Sequence, residues 1–150
     1  MNSTTAIKAY TRIGIETEAS TADSHKLISM LFQGALLAIA NAKNGILRKD
    51  IPAKGAAISK AMAIIDEGLN ASLDKEAGGE LANNLAALYD YMCMRLLTAN
   101  LKNDIEILDE VSRLLTELKQ AWDEIREQVI KPAATRAKTA NNSQLVSGSV

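Results

Sequence analysis

The spacing of apolar residues between Ile105 and Val129 constrains this chain more than any other feature. Leu108, Val111, Leu115, Leu118, Trp122, Ile125 and Val129 follow one another in alternating steps of three and four. That spacing places them on one stripe of an α-helix, the seam through which a helix packs on its neighbours. Asp104 stands where it can cap the start, and Pro132 is expected to end the helix. A stripe of this kind requires partner helices, and three further segments supply them. A first helix opening at Asp23 or Ser24 carries Ile28, Leu31, Ala35, Ile39, Ala42 and Ile46. A second starts where Asp50 precedes Pro52 and carries Ile58, Ala61, Ile65, Leu69 and Ser72. After the break at "DKEAGG", a third runs from about Glu80 to Ala99 with Leu81, Leu85, Leu88, Met92, Leu96 and Ala99.

Four amphipathic helices joined by short connections give an all-α, antiparallel up-and-down four-helix bundle, because a short loop sets consecutive helices side by side and reversed. The expected organisation is a flexible N-terminal arm (1–20), a four-helix domain (21–131) and a disordered C-terminal tail (132–150). Composition agrees. Hydrophobic residues make up 47% of the chain but aromatics only 3%, so the core is built from Leu, Ile, Ala and Met, a mixture that favours helices.

Composition also narrows the chemistry. The net charge of −1 gives no basic field for nucleic acid. The acidic run within 104–127 reads as a solvated helix face. The single cysteine, Cys93, excludes an internal disulfide and fits a reducing compartment. No apolar run reaches the length of a membrane span or a signal-peptide core, so a cytoplasmic protein without direct membrane insertion is expected. A di-iron bundle needs Glu-x-x-His pairs, and zinc needs several Cys or His ligands. One histidine, His25, and one cysteine provide neither. Without a phosphate-binding glycine loop either, no catalytic residue, metal or cofactor is expected. His25 leaves one enzyme-like alternative, a histidine phosphotransfer bundle. That role requires an exposed mid-helix histidine, whereas His25 falls in a first turn, where an exposed capping-turn residue is expected. Cys93, set between two methionines, reads as an inert packed thiol.

The third helix is apolar on more than one side. Beside its stripe, "LYDYMCMRLLTAN" places Tyr91, Met94 and Leu97 at steps of three, and Leu101 follows. A wide stripe facing two neighbours accounts for this, and so does an exposed groove for a partner's amphipathic helix, for which adaptable methionine is suited. Asn83, Asn84, Asn100 and Asn103 could hold a guest backbone, although Asn103 reads better as a helix-end residue. Tyr89 and Trp122 read as internal or half-buried. Asp90 reads as a solvated carboxylate, with Arg95 or a guest amine as alternative partners. A self-assembling structural bundle, with the second ridge serving a homodimer, is the further alternative.

The segment Leu69 to Asp104 contains "SLD", "GGE", "NL", "LYDYM", "RL", "AN" and "ND" in an order and spacing that resemble the FliS family, the flagellar export chaperones. Upstream, "AYTRIGIETEAS" and "HKLISMLFQGALLAI" resemble that family's arm and first helix, so the resemblance covers about Ala9 to Val129. The chain departs from the family pattern at Ser24, where a proline is usual, and at Phe32-Gln33-Gly34, where Tyr-Asp-Gly or Tyr-Glu-Gly is common. The resemblance implies a non-enzymatic chaperone that binds the disordered C-terminal segment of flagellin in the cytoplasm. It would prevent premature polymerisation and help deliver flagellin to the type III export apparatus. The export-gate membrane protein and other cytoplasmic flagellar regulators are implied as further partners, and the free chaperone as a monomer or weak homodimer. Tyr10, Ile13, Asn84, Tyr91, Met94, Leu97 and Leu101 are the expected partner contacts.

Overall fold

The computed structural model describes the backbone of residues 24–146 and the side chains of residues 24–125. Its elements in chain order are α1 (Ser24–Leu47), α2 (Ile51–Ala63), a π-helical segment (Ile64–Asn70), α3 (Lys75–Lys102) and α4 (Ile105–Val146). The described residues contain no strand, and the architecture is the expected all-α antiparallel bundle. Contacts divide the chain after Lys119 into two compact units, and the bundle belongs to the first.

Side-chain chemistry sets the helix boundaries. The carboxylate of Asp50 accepts from Ala53 N at 3.1 Å, and Pro52 occupies the first turn of α2. Asp74 accepts from Ala77 N at 3.0 Å, and Asp104 from Ile107 N at 3.3 Å. Each satisfies a backbone donor that the first turn of a helix leaves open. At the other end of α3, Asn103 adopts the left-handed conformation (φ 53°) that closes a helix C-terminus.

Contacts between helices fix the order around the bundle. Lys54, at the start of α2, reaches Asn100 and Asn103 at the end of α3. Lys43, near the end of α1, meets Asp109 near the start of α4 at 3.2 Å. Tyr91 and Arg95 of α3 meet Glu110 of α4. These antiparallel pairings, together with the direct packing of α1 on α2, put α3 between α2 and α4. Gly45 allows a close approach of α1 to α2. A Cβ built there would stand 2.8 Å from the backbone nitrogen of Lys54 and 2.9 Å from its Cα.

The core is aliphatic. Leu27, Leu31, Ile58, Ile64, Ile65, Met92, Leu96, Leu108, Val111 and Leu115 are fully buried. All five stripe residues expected of the second helix are buried, from Ile58 to Ser72. The segment is not a uniform α-helix, however. Around Ile64–Asn70 the turn widens, with Ala71 N bonding Asp66 O five residues back at 3.1 Å. Ile64 and Ile65, which open this segment three and four residues after buried Ala61, both lie in the core.

Two boundaries differ from the sequence expectation. Helix α3 begins at Lys75, but Gly79 interrupts it (φ 54°, ψ −129°), so its regular part starts at Glu80. The stop expected at Pro132 is not found there: the helical trace of α4 passes Pro132 and runs to Val146. A single proline removes one interior hydrogen bond and bends a helix without forbidding its continuation. The alanine-rich residues that follow have the propensity to continue it.

Candidate functional site

Among the described residues, the outer side of α3 carries the largest cluster of exposed apolar side chains. Met94 is 69% exposed, Leu101 77%, Leu97 49% and Tyr91 42%. Helical geometry explains the pattern. Tyr89, Met92, Leu96 and Ala99 point inward and are buried, and at about 100° per residue Met94, Leu97 and Leu101 must then point outward. The second apolar ridge of the third helix is therefore a solvent-facing surface. Of the residues expected to contact a partner, Asn84, Tyr91, Met94, Leu97 and Leu101 are all exposed on α3. Tyr10 and Ile13 lie outside the described residues.

This surface runs beside α2. Lys54 meets Asn100, and Cys93 Sγ lies 3.8 Å from Met62 O. Given antiparallel helices, Gly55 and Ser59 are level with Leu101 and Leu97. The outer side of α2 there is small, with Ala56 and Ser59 exposed and open space above Gly55. A ridge of Met and Leu on one helix thus borders a low, small-residue surface on the next.

The opposite edge of α3 is polar and ordered. Tyr91 Oη donates to Glu110 Oε2 at 2.7 Å, and Arg95 Nε donates to Glu110 Oε1 at 2.8 Å. One carboxylate therefore holds both side chains. The hydrogen bond from Arg95, followed by that from Tyr91, holds the Glu110 carboxyl below its ordinary range. The same contacts raise the Tyr91 phenol and the Arg95 guanidinium. Next to this clamp is a surface hollow of about 440 Å³ lined by Arg95, Thr98, Lys102, Glu106, Glu110 and Arg113, among others.

Nothing in the sequence alone marks this clamp. From the sequence Glu110 reads as part of a solvated acidic face, and Asp90 as a solvated carboxylate with Arg95 only an alternative partner. In the structure Asp90 instead accepts from Asn70 Nδ2 at 3.4 Å. No spacing rule along a single helix identifies a partner on another one, so the sequence carried no signal for it. Lys54 was likewise unforeseen; its Nζ donates to Asn100 O at 3.0 Å and to Asn103 Oδ1. Asn103 is thereby a structural helix-end residue, as expected. Tyr89 is buried and Trp122 half-buried, also as expected. Cys93 is half-buried, and its thiol is pushed up to about 11 by burial and then by Asp66 and Asp90. That is the profile of an inert thiol.

His25 is not the exposed residue expected. It is half-buried, and both ring nitrogens are withdrawn from solvent, which opposes transfer of a phosphoryl group to either nitrogen. Among the described residues no cluster of three or more His, Cys, Asp or Glu is arranged for a metal ion, and no helix is long and apolar enough to cross a membrane.

The fold is that of an all-helical bundle with an apolar outer ridge on one helix. The sequence model of the family described as flagellar protein FliS matches residues 6–129, slightly beyond the span that the motifs indicated. The flagellar secretion chaperone FliS of Salmonella typhimurium is 48% identical over 125 residues, covering 83% of this chain and 93% of that one. The flagellar secretion chaperone FliSB of Pseudomonas aeruginosa is 50% identical over 120 residues, or 80% and 94% of the two chains. The Escherichia coli FliS chaperone is 41% identical over 126 residues, or 84% and 90%. The chain belongs to the flagellar protein FliS family, and with it to the flagellar export chaperones.

Proposed function

We propose that this protein binds the C-terminal segment of flagellin in the cytoplasm, keeps it from polymerising prematurely, and helps deliver it to the flagellar type III export apparatus. The observation that carries the reading is the exposed ridge of Met94, Leu97 and Leu101 on α3. Leaving such side chains in water forgoes about 1.5–3 kcal/mol each relative to full burial, so an amphipathic guest helix laid along them has a substantial driving force. The small residues of α2 alongside give that helix room to approach. A guest that is disordered when free loses roughly 2–5 kcal/mol on ordering, and a track several side chains long is needed to exceed that cost. Asn84 and Tyr91 would border the guest on the α4 side, and Tyr10 and Ile13 of the N-terminal arm complete the proposed contact set. Capture acts by mass action: each bound segment is withdrawn from the pool able to assemble.

Calorimetric titration with the C-terminal segment of flagellin from the same cell tests the reading. One-to-one binding with a negative heat-capacity change is expected, the signature of apolar burial. The absence of binding heat at several temperatures would overturn it. Light scattering over a concentration series, with and without the segment, then separates guest capture from self-association along the same ridge.

A further inference from the structure

We propose that Met94 is an oxidation site at which peroxide-class oxidants reversibly weaken capture of the exported partner. This rests on the reading of the α3 ridge as the guest surface, and on differences in access among the sulfur atoms. Met94 is 69% exposed, whereas Met92, two residues away on the inner side of the same helix, is fully buried. Met30 and Met62 are partly buried. The thiol between Met92 and Met94 does not compete, because burial holds Cys93 protonated and the thiolate is the reactive form. Among the described residues, then, Met94 is the one sulfur-bearing side chain that is mostly exposed, and it sits in the middle of the apolar ridge.

The step is a two-electron oxygen transfer. A lone pair of the Met94 thioether attacks one peroxide oxygen, the O–O bond breaks, and the second oxygen leaves as water after taking up the proton. Sulfur is oxidised to the sulfoxide and the peroxide is reduced. Methionine sulfoxide reductases reverse the change. The product is a strongly polar acceptor on what was a flexible apolar side chain. Of its helical neighbours on the outer face of α3, Ala87, Asp90, Leu97 and Leu101 offer no side-chain donor, and Tyr91 already gives its hydroxyl to Glu110. Thr98 already uses its hydroxyl on the Met94 carbonyl at 3.1 Å. A guest helix covering the sulfoxide would therefore bury an unsatisfied oxygen, which is expected to weaken binding about tenfold. The folded bundle is unaffected, since Met94 takes no part in its core.

Limited hydrogen peroxide treatment of the full chain, with peptide mapping by mass spectrometry, should show Met94 oxidised ahead of Met30, Met62 and Met92. Calorimetry with the flagellin C-terminal segment should then show about tenfold weaker binding than for untreated protein. Binding should recover after incubation with methionine sulfoxide reductases. Met94→Leu, which conserves volume and cannot be oxidised, should bind like the untreated protein and keep its affinity through the same treatment. Unchanged affinity at full Met94 oxidation would overturn the inference while leaving the guest-binding reading intact. So would an equal loss in treated Met94→Leu, which would place the sensitive group elsewhere. Failure of the untreated protein to bind would end both.

Discussion

Lys54 is 94% withdrawn from solvent in relative terms, with only 6% of its surface exposed, yet its amine is not stranded. It donates to the carbonyl of Asn100 and the amide oxygen of Asn103, one of them a carbonyl in the last turn of α3 that has no partner within its own helix. A single side chain thus closes α3 and ties it to α2. Lys54→Met keeps the aliphatic stem and removes the donor. It should lower stability by about 1–3 kcal/mol, the cost of an orphaned buried acceptor, read as a lower denaturant midpoint at unchanged slope. The Glu110 clamp predicts a pH effect of defined sign. Its carboxyl is held below the ordinary 4.5 in the folded state, so its contribution to stability is present above that value and is lost as pH falls through the depressed one. In Glu110→Gln the acid limb of the stability–pH curve should be flatter than in wild type, and an identical limb would show that the clamp contributes nothing to folding. The neutral-pH half of this prediction is small, because the ion pair is partly exposed and screened.

At the scale of elements, three glycines with different surroundings should respond differently to one added methyl group. Gly45 faces the backbone of Lys54, which cannot move aside, so Gly45→Ala should separate α1 from α2 and cost about 1–3 kcal/mol. Gly79 has open space, but its conformation (φ 54°, ψ −129°) is one that residues with a side chain avoid. Gly79→Ala should cost about 1–3 kcal/mol through the backbone alone. Gly55 is helical with nothing nearby, and Gly55→Ala should stabilise by about 0.4–1 kcal/mol. Thermal denaturation of the three variants tests both the ranking and the sign. The same elements show what the sequence could reveal. In the second helix, hydrophobic periodicity identified Ile58, Ala61, Ile65, Leu69 and Ser72, and all are buried. It could not reveal the π-helical turn, which leaves that stripe buried. In the first half of α3 it chose the large residues Leu81, Leu85 and Leu88. The buried positions are instead Ala82, Ala86 and Tyr89, and Leu81 is 67% exposed. Size misleads where helices approach closely, because alanine is then what fits the contact.

For the molecule as a whole, the ridge was legible for a geometric reason. Once an inner stripe is fixed, every large apolar residue off it must face a neighbour or water, so Tyr91, Met94 and Leu97 were identifiable before any coordinates. Which of the two they faced depended on which helices flank α3, and only the pairings of Lys54 and Glu110 with α3 decide that. The separation of inner and outer faces also gives the sharpest test of the whole reading, since the two faces should respond oppositely to charge. Leu97 is 49% exposed and outside the core, so Leu97→Asp should leave the unfolding free energy within about 0.5 kcal/mol of wild type. Along an apolar guest track, however, a carboxylate has to be desolvated without a partner. Leu97→Asp should therefore weaken binding of the flagellin segment by about a hundredfold or more, seen as loss of calorimetric heat at unchanged far-ultraviolet circular dichroism. Leu96→Asp, one residue away and fully buried, should instead unfold the bundle. If Leu97→Asp bound the segment as wild type does, the guest would have to lie on another face, and the clamp-lined edge between α3 and α4 would be the next surface to probe.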